Sequence, residues 1–237
     1  MEERRPSCRA EKAFYDAYWQ GKHALACDEK CRLRFILSEF GKRRASCFRI
    51  ADVGCGRGWL TQTLSRFGAV TGFDLSVAEA AQRYPKLRFV QCDVLNLRPD
   101  NFDVAVCSEV IEHIRAGEQP GLIDSLSSIL KDGGTLILTT PNRSQVSRLV
   151  SELGLESELQ PVEDWLDIEG LEKLLAPRFE IERLSTVMFF PLRVRRVGPL
   201  SRLYRFFYEE LGFYRVVDPL LTRSTHGMYI TVVARKR

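Results

Sequence analysis

The sequence predicts an α/β protein, a mostly parallel sheet with helices wound on both faces, and three observations predict it. From Cys47 onward, short apolar and β-branched runs alternate with longer segments of helical period, as strands and helices do in a parallel sheet. A glycine-rich turn, Gly54, Gly56 and Gly58, follows the first run and opens a helix, where backbone N–H groups and the absence of side chains admit a ligand. Asp74 and Asp93 close the second and third runs, at the strand ends where open α/β sheets bind ligands.

Taken in order, residues 9–44 hold two helical stretches, the second with Leu33, Ile36, Leu37 and Phe40 at the spacing of one helix face. They read as an N-terminal lid over 1–47. Strands are expected at 48–53 (FRIADV), 69–74 (AVTGFD), 87–92 (LRFVQC), 102–107 (FDVAVC) and 134–140 (GTLILTT), each followed by a helix. FEIERLSTVMFF (179–190) and GMYITVVARK (227–236) read as two further strands, separated by an aromatic and arginine-rich insertion over 191–223. No repeat, low-complexity tract or linker divides the chain. It reads as a single domain with a cofactor-binding core at 48–142 and a substrate-side half at 143–237.

Composition bounds the function classes. With 237 residues, 45% of them hydrophobic and 28% charged, the chain matches a soluble globular protein that builds its core without staples. The 35 basic and 31 acidic residues leave a net charge of +4, too small a balance to argue for nucleic acid. Seven cysteines, an odd number with several inside apolar runs, suit a reducing compartment. Cys27 and Cys31 have no second pair at zinc-ligand spacing and are read as helix packing. The N-terminal MEERRPSCRAEK has no apolar segment behind its charges, and no window approaches the length of a membrane span. A cytoplasmic location is expected.

The glycine spacing separates two ligands. A dinucleotide fingerprint places its third glycine one residue later, G-x-G-x-x-G. Here position 59 is Trp, which would crowd a pyrophosphate, and the pattern is G-x-G-x-G preceded by Asp52. Asp74, twenty residues past Gly54, is placed to accept hydrogen bonds from both hydroxyls of a ribose, and Asp93 to meet an exocyclic amine of adenine. Each aspartate alone has a plainer reading as a helix cap, for Asp74 because Ser76 follows it. Both at the ends of successive strands favour a ligand.

The motifs DVGCGRG (52–58), GFDLS (72–76), QCDVLNL (91–97), FDVAVCSEVIEHI (102–114) and LKDGGTLILTTPN (130–142) resemble those of the class I S-adenosylmethionine-dependent methyltransferases. The likeness is strongest to the "type 11" group that includes the ubiquinone-biosynthesis-type O-methyltransferases. The resemblance implies a Rossmann-like, doubly wound, seven-stranded sheet with one antiparallel strand, assigned to 227–236, whose start at His226 and Gly227 faces the active-site side. It implies S-adenosylmethionine as cofactor and S-adenosylhomocysteine as product. Asp52, Gly54, Gly56 and Gly58 would surround the methionine part and Asp74 the ribose. Asp93 and Val94 would meet the adenine, with Leu75 flanking it and Ser108 near the sulfonium. Tyr15, Tyr18 or Trp19 of FYDAYW (14–19) would close over the methionine carboxylate, or equally anchor their helix to the core. Outside 48–142 the likeness fades.

Methyl transfer needs alignment and exclusion of water, and a hydroxyl acceptor also benefits from a base. The histidines are His23, His113 and His226. As a helix residue His113 shares a face with Glu109, four positions earlier, and the pair serves either as a proton acceptor or as a pocket wall. Alternatively Glu109, Glu112 and His113 converge on Mg²⁺ or Mn²⁺, as in the small-RNA 3′-terminal 2′-O-methyltransferases that this Glu-x-x-Glu-His string also resembles. Those enzymes add a later histidine, and LQPVEDWLDIEGL (159–171) has none, so a metal-free site is expected. The catalytic candidates are therefore His113, Glu109 and His226.

The insertion holds seven arginines against Glu209, Glu210 and Asp218, interleaved with six aromatic residues. Three readings compete: a helical cap whose aromatics pack on the sheet, a pocket for an anionic or amphipathic acceptor, and an RNA or membrane-surface face. A small-molecule acceptor is the favoured partner. An RNA substrate and a non-catalytic cofactor-binding subunit are the alternatives.

Overall fold

The computed structural model describes residues 27–42, 47–153, 160–189, 206–213 and 225–237, together with Lys12, Phe14, Leu203, Val216 and Leu220. Tyr15, Tyr18, Trp19, His23 and most of 191–223 lie outside the described residues.

Seven strands form one sheet: β1 (Phe48–Val53), β2 (Gly68–Asp74), β3 (Arg88–Gln91), β4 (Phe102–Ser108), β5 (Leu130–Pro141), β6 (Phe179–Val187) and β7 (Tyr229–Lys236). Their order is β3-β2-β1-β4-β5-β7-β6. The pairs β2/β3, β1/β2, β1/β4 and β4/β5 are parallel, while β7 runs antiparallel to both β5 and β6. The expected single antiparallel strand is therefore present, with Tyr229 opposite Pro141, so β7 begins at the edge where β5 ends.

Alternation of side chains along each strand divides the core in two. Ile50, Val70, Val104, Val106 and Ile137 face α1 (Cys27–Gly41) and α2 (Trp59–Leu64). Ala51, Val53, Ala105, Cys107, Leu136 and Leu138 face the other way, toward α4 (Gln119–Ile129) and α6 (Ile168–Leu175). The shorter α3 (Ala78–Arg83) follows β2, and α5 (Arg143–Leu153) follows β5. In α1 the expected stripe is realised: Ile36 and Phe40 are buried, with Phe40 stacked on Phe67 at 4.9 Å.

Three expectations shift. After β3 and directly after β4 there is no α-helix but a single 3₁₀ turn, Val94–Asn96 and Ile111–His113. β5 starts at Leu130 rather than 134, through a register shift opposite Phe102 and Val104 that absorbs the polar Lys131–Gly133. β6 stops at Val187, because Met188 takes a left-handed φ of 61°.

Candidate active site

The carboxyl ends of β1 to β5 carry the polar groups. Past β1, Gly54, Gly56 and Gly58 adopt φ of 76°, 48° and 76°, a region that costs L side chains energy. Gly54 is also pressed against Val110, since a Cβ there would lie 2.1 Å from Val110 Cγ2. The N–H groups of Gly54 and Cys55 both donate to the Phe73 carbonyl (2.8 and 3.1 Å), so the loop is clamped to the end of β2.

Asp74 completes the clamp. Its Oδ2 accepts from the Gly56 N–H at 2.8 Å and its Oδ1 from the Ser76 N–H at 3.0 Å. The plainer reading, a helix cap, does not hold for α3, whose N-cap is Val77. It does hold for Asp93, whose Oδ1 accepts from Leu95 N–H at the head of its turn. Leu75 is half-buried, and Val94 is buried in the core.

Asp52 lies beneath the loop, buried, with Oδ2 accepting from Thr61 Oγ1 at 2.6 Å. Burial, reinforced by the nearby Asp74 charge, pushes its carboxyl up to about 7. Burial likewise raises the thiols of Cys55 and Cys107, and that of Cys92 to about 12, so these cysteines stay protonated and are not nucleophiles.

Past β4 the structure corrects the helical pairing of Glu109 with His113. Glu109 takes a left-handed φ of 58° while its N–H donates to the Thr139 carbonyl at 3.0 Å, which turns its carboxylate toward β5 and α1. Thr139 Oγ1 donates to Glu109 Oε1 (2.9 Å), and the Ser108 hydroxyl, 2.8 Å from Thr139 Oγ1, supplies the preceding donor. Arg32 of α1, buried and lying over the Tyr229 ring at 4.4 Å, brings Nε to 3.6 Å from Glu109 Oε1.

His113 instead sits against residues 160–163. Its Nδ1–H donates to the Val162 carbonyl (3.1 Å), which fixes Nε2 as the acceptor from the Gln160 amide (3.2 Å). Carboxylate oxygens of Glu112 and Glu163 each lie 3.9 Å from a ring nitrogen. The shared-metal arrangement does not fit: Glu112 and His113 are close, but Glu109 points away to Thr139 and Arg32. Among the described residues no cluster of three or more His, Cys, Asp or Glu is arranged to hold a metal ion. His226 is exposed at the rim of the same edge, where Asn142 Nδ2 donates to the carbonyls of Thr225 and Gly227 on either side of it (3.1 and 3.0 Å).

Arg32, Glu29, Thr139 and Thr140 were not singled out by sequence reasoning. The two threonines carried a signal, as polar residues ending an apolar strand at the ligand-binding edge. Arg32 and Glu29 carried none, because a charged residue on an amphipathic helix reads as solvated. The pair Glu29–Arg57 (3.2 Å, both side chains largely buried) ties α1 to the glycine loop, as Arg32–Glu109 ties it to the loop after β4.

Glu112 is the second carboxyl displaced by burial, up to about 8, although Thr140 Oγ1 donates to it at 3.0 Å. Both folded-state values lie above the unfolded ones near 4, so the folded protein holds protons that the unfolded chain has released. Their stabilising contribution is full below about pH 4 and declines as pH rises toward 7 and 8. Thermal midpoints measured from pH 5 to 9 should fall across this window and level off above it. Glu112→Gln should flatten the upper part; an unchanged slope would show that Glu112 is ionised when folded.

A sheet of this order, with a glycine loop after its first strand and an acid at the end of its second, defines the class I S-adenosylmethionine-dependent methyltransferases. Comparison with known proteins agrees: residues 22–183 match the model of a family described as "Methyltransferase domain", and the chain belongs to that family. Among relatives, the mitochondrial ubiquinone biosynthesis O-methyltransferase of Rattus norvegicus is 30% identical over 213 residues, covering 76% of this chain and 61% of that protein. The ubiquinone biosynthesis O-methyltransferase of Vibrio cholerae is 34% identical over 146 residues, 55% of this chain and 56% of that protein. The chain thus spans about six-tenths of the length of these relatives. In fold it is similar to the magnesium protoporphyrin IX methyltransferase of Synechocystis PCC 6803, with a TM-score of 0.62, 17% identity, and 96% of this chain and 95% of that one covered.

Proposed function

We propose that this methyltransferase acts on a hydroxyl oxygen of a small, amphipathic or anionic acceptor. The observation that carries this reading is the hydrogen-bonded wall at the ends of β4 and β5, the chain Ser108–Thr139–Glu109, which ends on a carboxylate able to accept a proton. A hydroxyl must lose its proton as the new bond forms, and such a wall serves that need. The likeness to two ubiquinone biosynthesis O-methyltransferases supports the same choice.

The residues at the strand ends suit the cofactor. Asp74, fixed at the end of β2 by the Gly56 and Ser76 N–H groups, would hold the ribose hydroxyls. Gly54, Gly56 and Gly58 would line the methionine part. Asp52 would meet the cationic amino group, which offsets the burial that raises its carboxyl. Asp93 and the Val94 backbone would border the adenine beside Leu75, and Ser108 would lie near the reacting centre. When bound, the cofactor supplies an activated methyl group on sulfur. The chain's own part is to align the acceptor, exclude water and take the acceptor's proton, for which Glu109 and His113 are the first candidates and the rim residue His226 the third.

The test is product analysis with S-adenosylmethionine and two acceptor panels, alkylated phenols and matched amines. O-methyl products are expected; methylation confined to amines, or to RNA, would overturn the reading. Glu109→Gln and His113→Ala should each lower kcat by about 100-fold or more and leave cofactor affinity within about threefold, whereas His226→Ala should have the smaller effect. Full turnover in His113→Ala would reduce that histidine to a pocket wall.

A further inference from the structure

Phe206, Phe207 and Phe213 are exposed, which corrects for these residues the expectation that the aromatics of the insertion pack on the sheet; Tyr208 is buried. The opposite edge of the sheet carries a different feature. β3 is joined to β4 by one 3₁₀ turn and the irregular Leu97–Asn101, so the face of β2 and β3 that a crossover helix would cover is left open as a cleft of about 770 Å³. Alternation along the strands places Arg49, Ala69, Thr71, Arg88 and Val90 on this face, in register across β1, β2 and β3. Phe73 and Phe102, edge to face at 5.9 Å, close its floor. None of the groups assigned above to the cofactor or to proton transfer lines this cleft.

Its charge is one-sided. Arg49, Lys86, Arg88 and Arg98 line the cleft against a single acid, Asp100. Arg49 takes that acid at 2.9 Å, donates to the Asn101 carbonyl at 3.1 Å and lies over the Phe102 ring at 5.2 Å. The Asn101 N–H, Arg49 and the Arg88 charge hold the Asp100 carboxyl below the usual carboxylate range. Lys86, Arg88 and Arg98 are exposed, and among the described residues no carboxylate lies within 4.0 Å of them. Cations elsewhere along the amino-terminal edge of the sheet are matched: Lys131 meets Asp103, Arg178 meets Asp124, Arg235 meets Glu182 and Lys236 meets Asp132. Guanidinium groups take phosphate oxygens in pairs, and a phosphate monoester carries about −1.5 to −2 charge at pH 7, which answers an excess of three positive charges better than one carboxylate does. The apolar floor suits an organic body, and the volume falls within the roughly 300–1,000 Å³ of small-molecule sites.

We propose that this cleft is a second binding site, separate from the methyl-transfer site, for a phosphate monoester with an apolar or aromatic body. Arg88 and Arg98 hold the phosphate, and the floor at Ala69 and Thr71 takes the body. The test is calorimetric titration of the full chain with 1-naphthyl phosphate, 1-naphthol and inorganic phosphate. No methyl donor is added, so the outcome is independent of the methyl-transfer reading. The ester is expected to bind at least about tenfold tighter than either part alone. Arg88→Glu/Arg98→Glu should lose about tenfold or more of that affinity at an unchanged thermal midpoint, since both side chains are exposed. Ala69→Phe, at an exposed floor position, fills the cleft without altering its charge and should lose a similar amount whether or not the double variant folds. Arg34→Glu, an exposed charge reversal on α1 over the other face of the sheet, should keep the affinity within about twofold. An ester that binds no tighter than naphthol or phosphate would overturn the proposal, as would affinity that a folded cleft variant leaves unchanged. Equal loss in Arg34→Glu would do the same, because it would trace the binding to overall charge.

Discussion

Asp74→Ala is expected to weaken S-adenosylmethionine binding by more than tenfold. A hydrogen bond to a charged partner is worth about 1.5–3 kcal/mol, and in the proposed arrangement the substitution removes the acceptor for two ribose hydroxyls. It also releases the Gly56 and Ser76 N–H groups, so the glycine loop loses the contact that holds its middle. Asp74 is half-buried at the end of β2, and its loss should leave the thermal midpoint within a few degrees, about 1 kcal/mol or less for a protein of this size. Calorimetric titration of both proteins checks this directly, with Asp74→Asn expected between them because one acceptor oxygen remains. Wild-type affinity in Asp74→Ala would mean that the ribose lies elsewhere.

Gly54→Ala should damage both fold and function. A non-glycine residue in left-handed geometry costs about 1–2 kcal/mol, and forcing a methyl into packed space about 1–3 more. Gly54 meets both conditions, with φ 76° and Val110 Cγ2 at 2.1 Å from the new Cβ. The thermal midpoint should drop by roughly 5–15 °C, and cofactor binding should fall with it. Adding Val110→Ala isolates the steric part. The double variant should recover affinity relative to Gly54→Ala, whereas equal loss in both would assign the whole effect to backbone conformation.

The sheet was legible in the sequence because each strand is an apolar run bounded by turn residues, and the strand ends located the acids that follow. Asp74 at the end of β2 follows from that logic alone. The register shift opening β5 was not legible, since Lys131, Asp132 and Gly133 read as loop and only pairing with Phe102 makes Leu130 a strand residue. EVIEH misled for a physical reason. Its apolar spacing suits a helix, and no glycine marks the break, yet the hydrogen bond from Glu109 N–H to Thr139 holds the chain in a left-handed turn that only tertiary contact supports. Arg32 was hidden by the same limit, because its burial depends on Tyr229, nearly two hundred residues away. In the 191–223 insertion an identical string of phenylalanines would serve a core or a surface, and only the fold around it decides which.

The position of β7 carries a consequence for how the protein is made. β6 has a single neighbour in the sheet, β7, and β7 is the last of the seven strands in chain order. During synthesis β1 to β5 can associate as they emerge, but β6, complete at Val187, has nothing to pair with until the chain has passed Tyr229. The interval leaves the flank of β5 as a bare row of N–H and C=O groups, a template for pairing with the wrong chain. Assembly is therefore split into an early nucleus and a late closure. Substitutions that weaken the β5–β7 seam should appear first as poor yield and aggregation of newly made protein, before any loss in the activity of the molecules that finish folding.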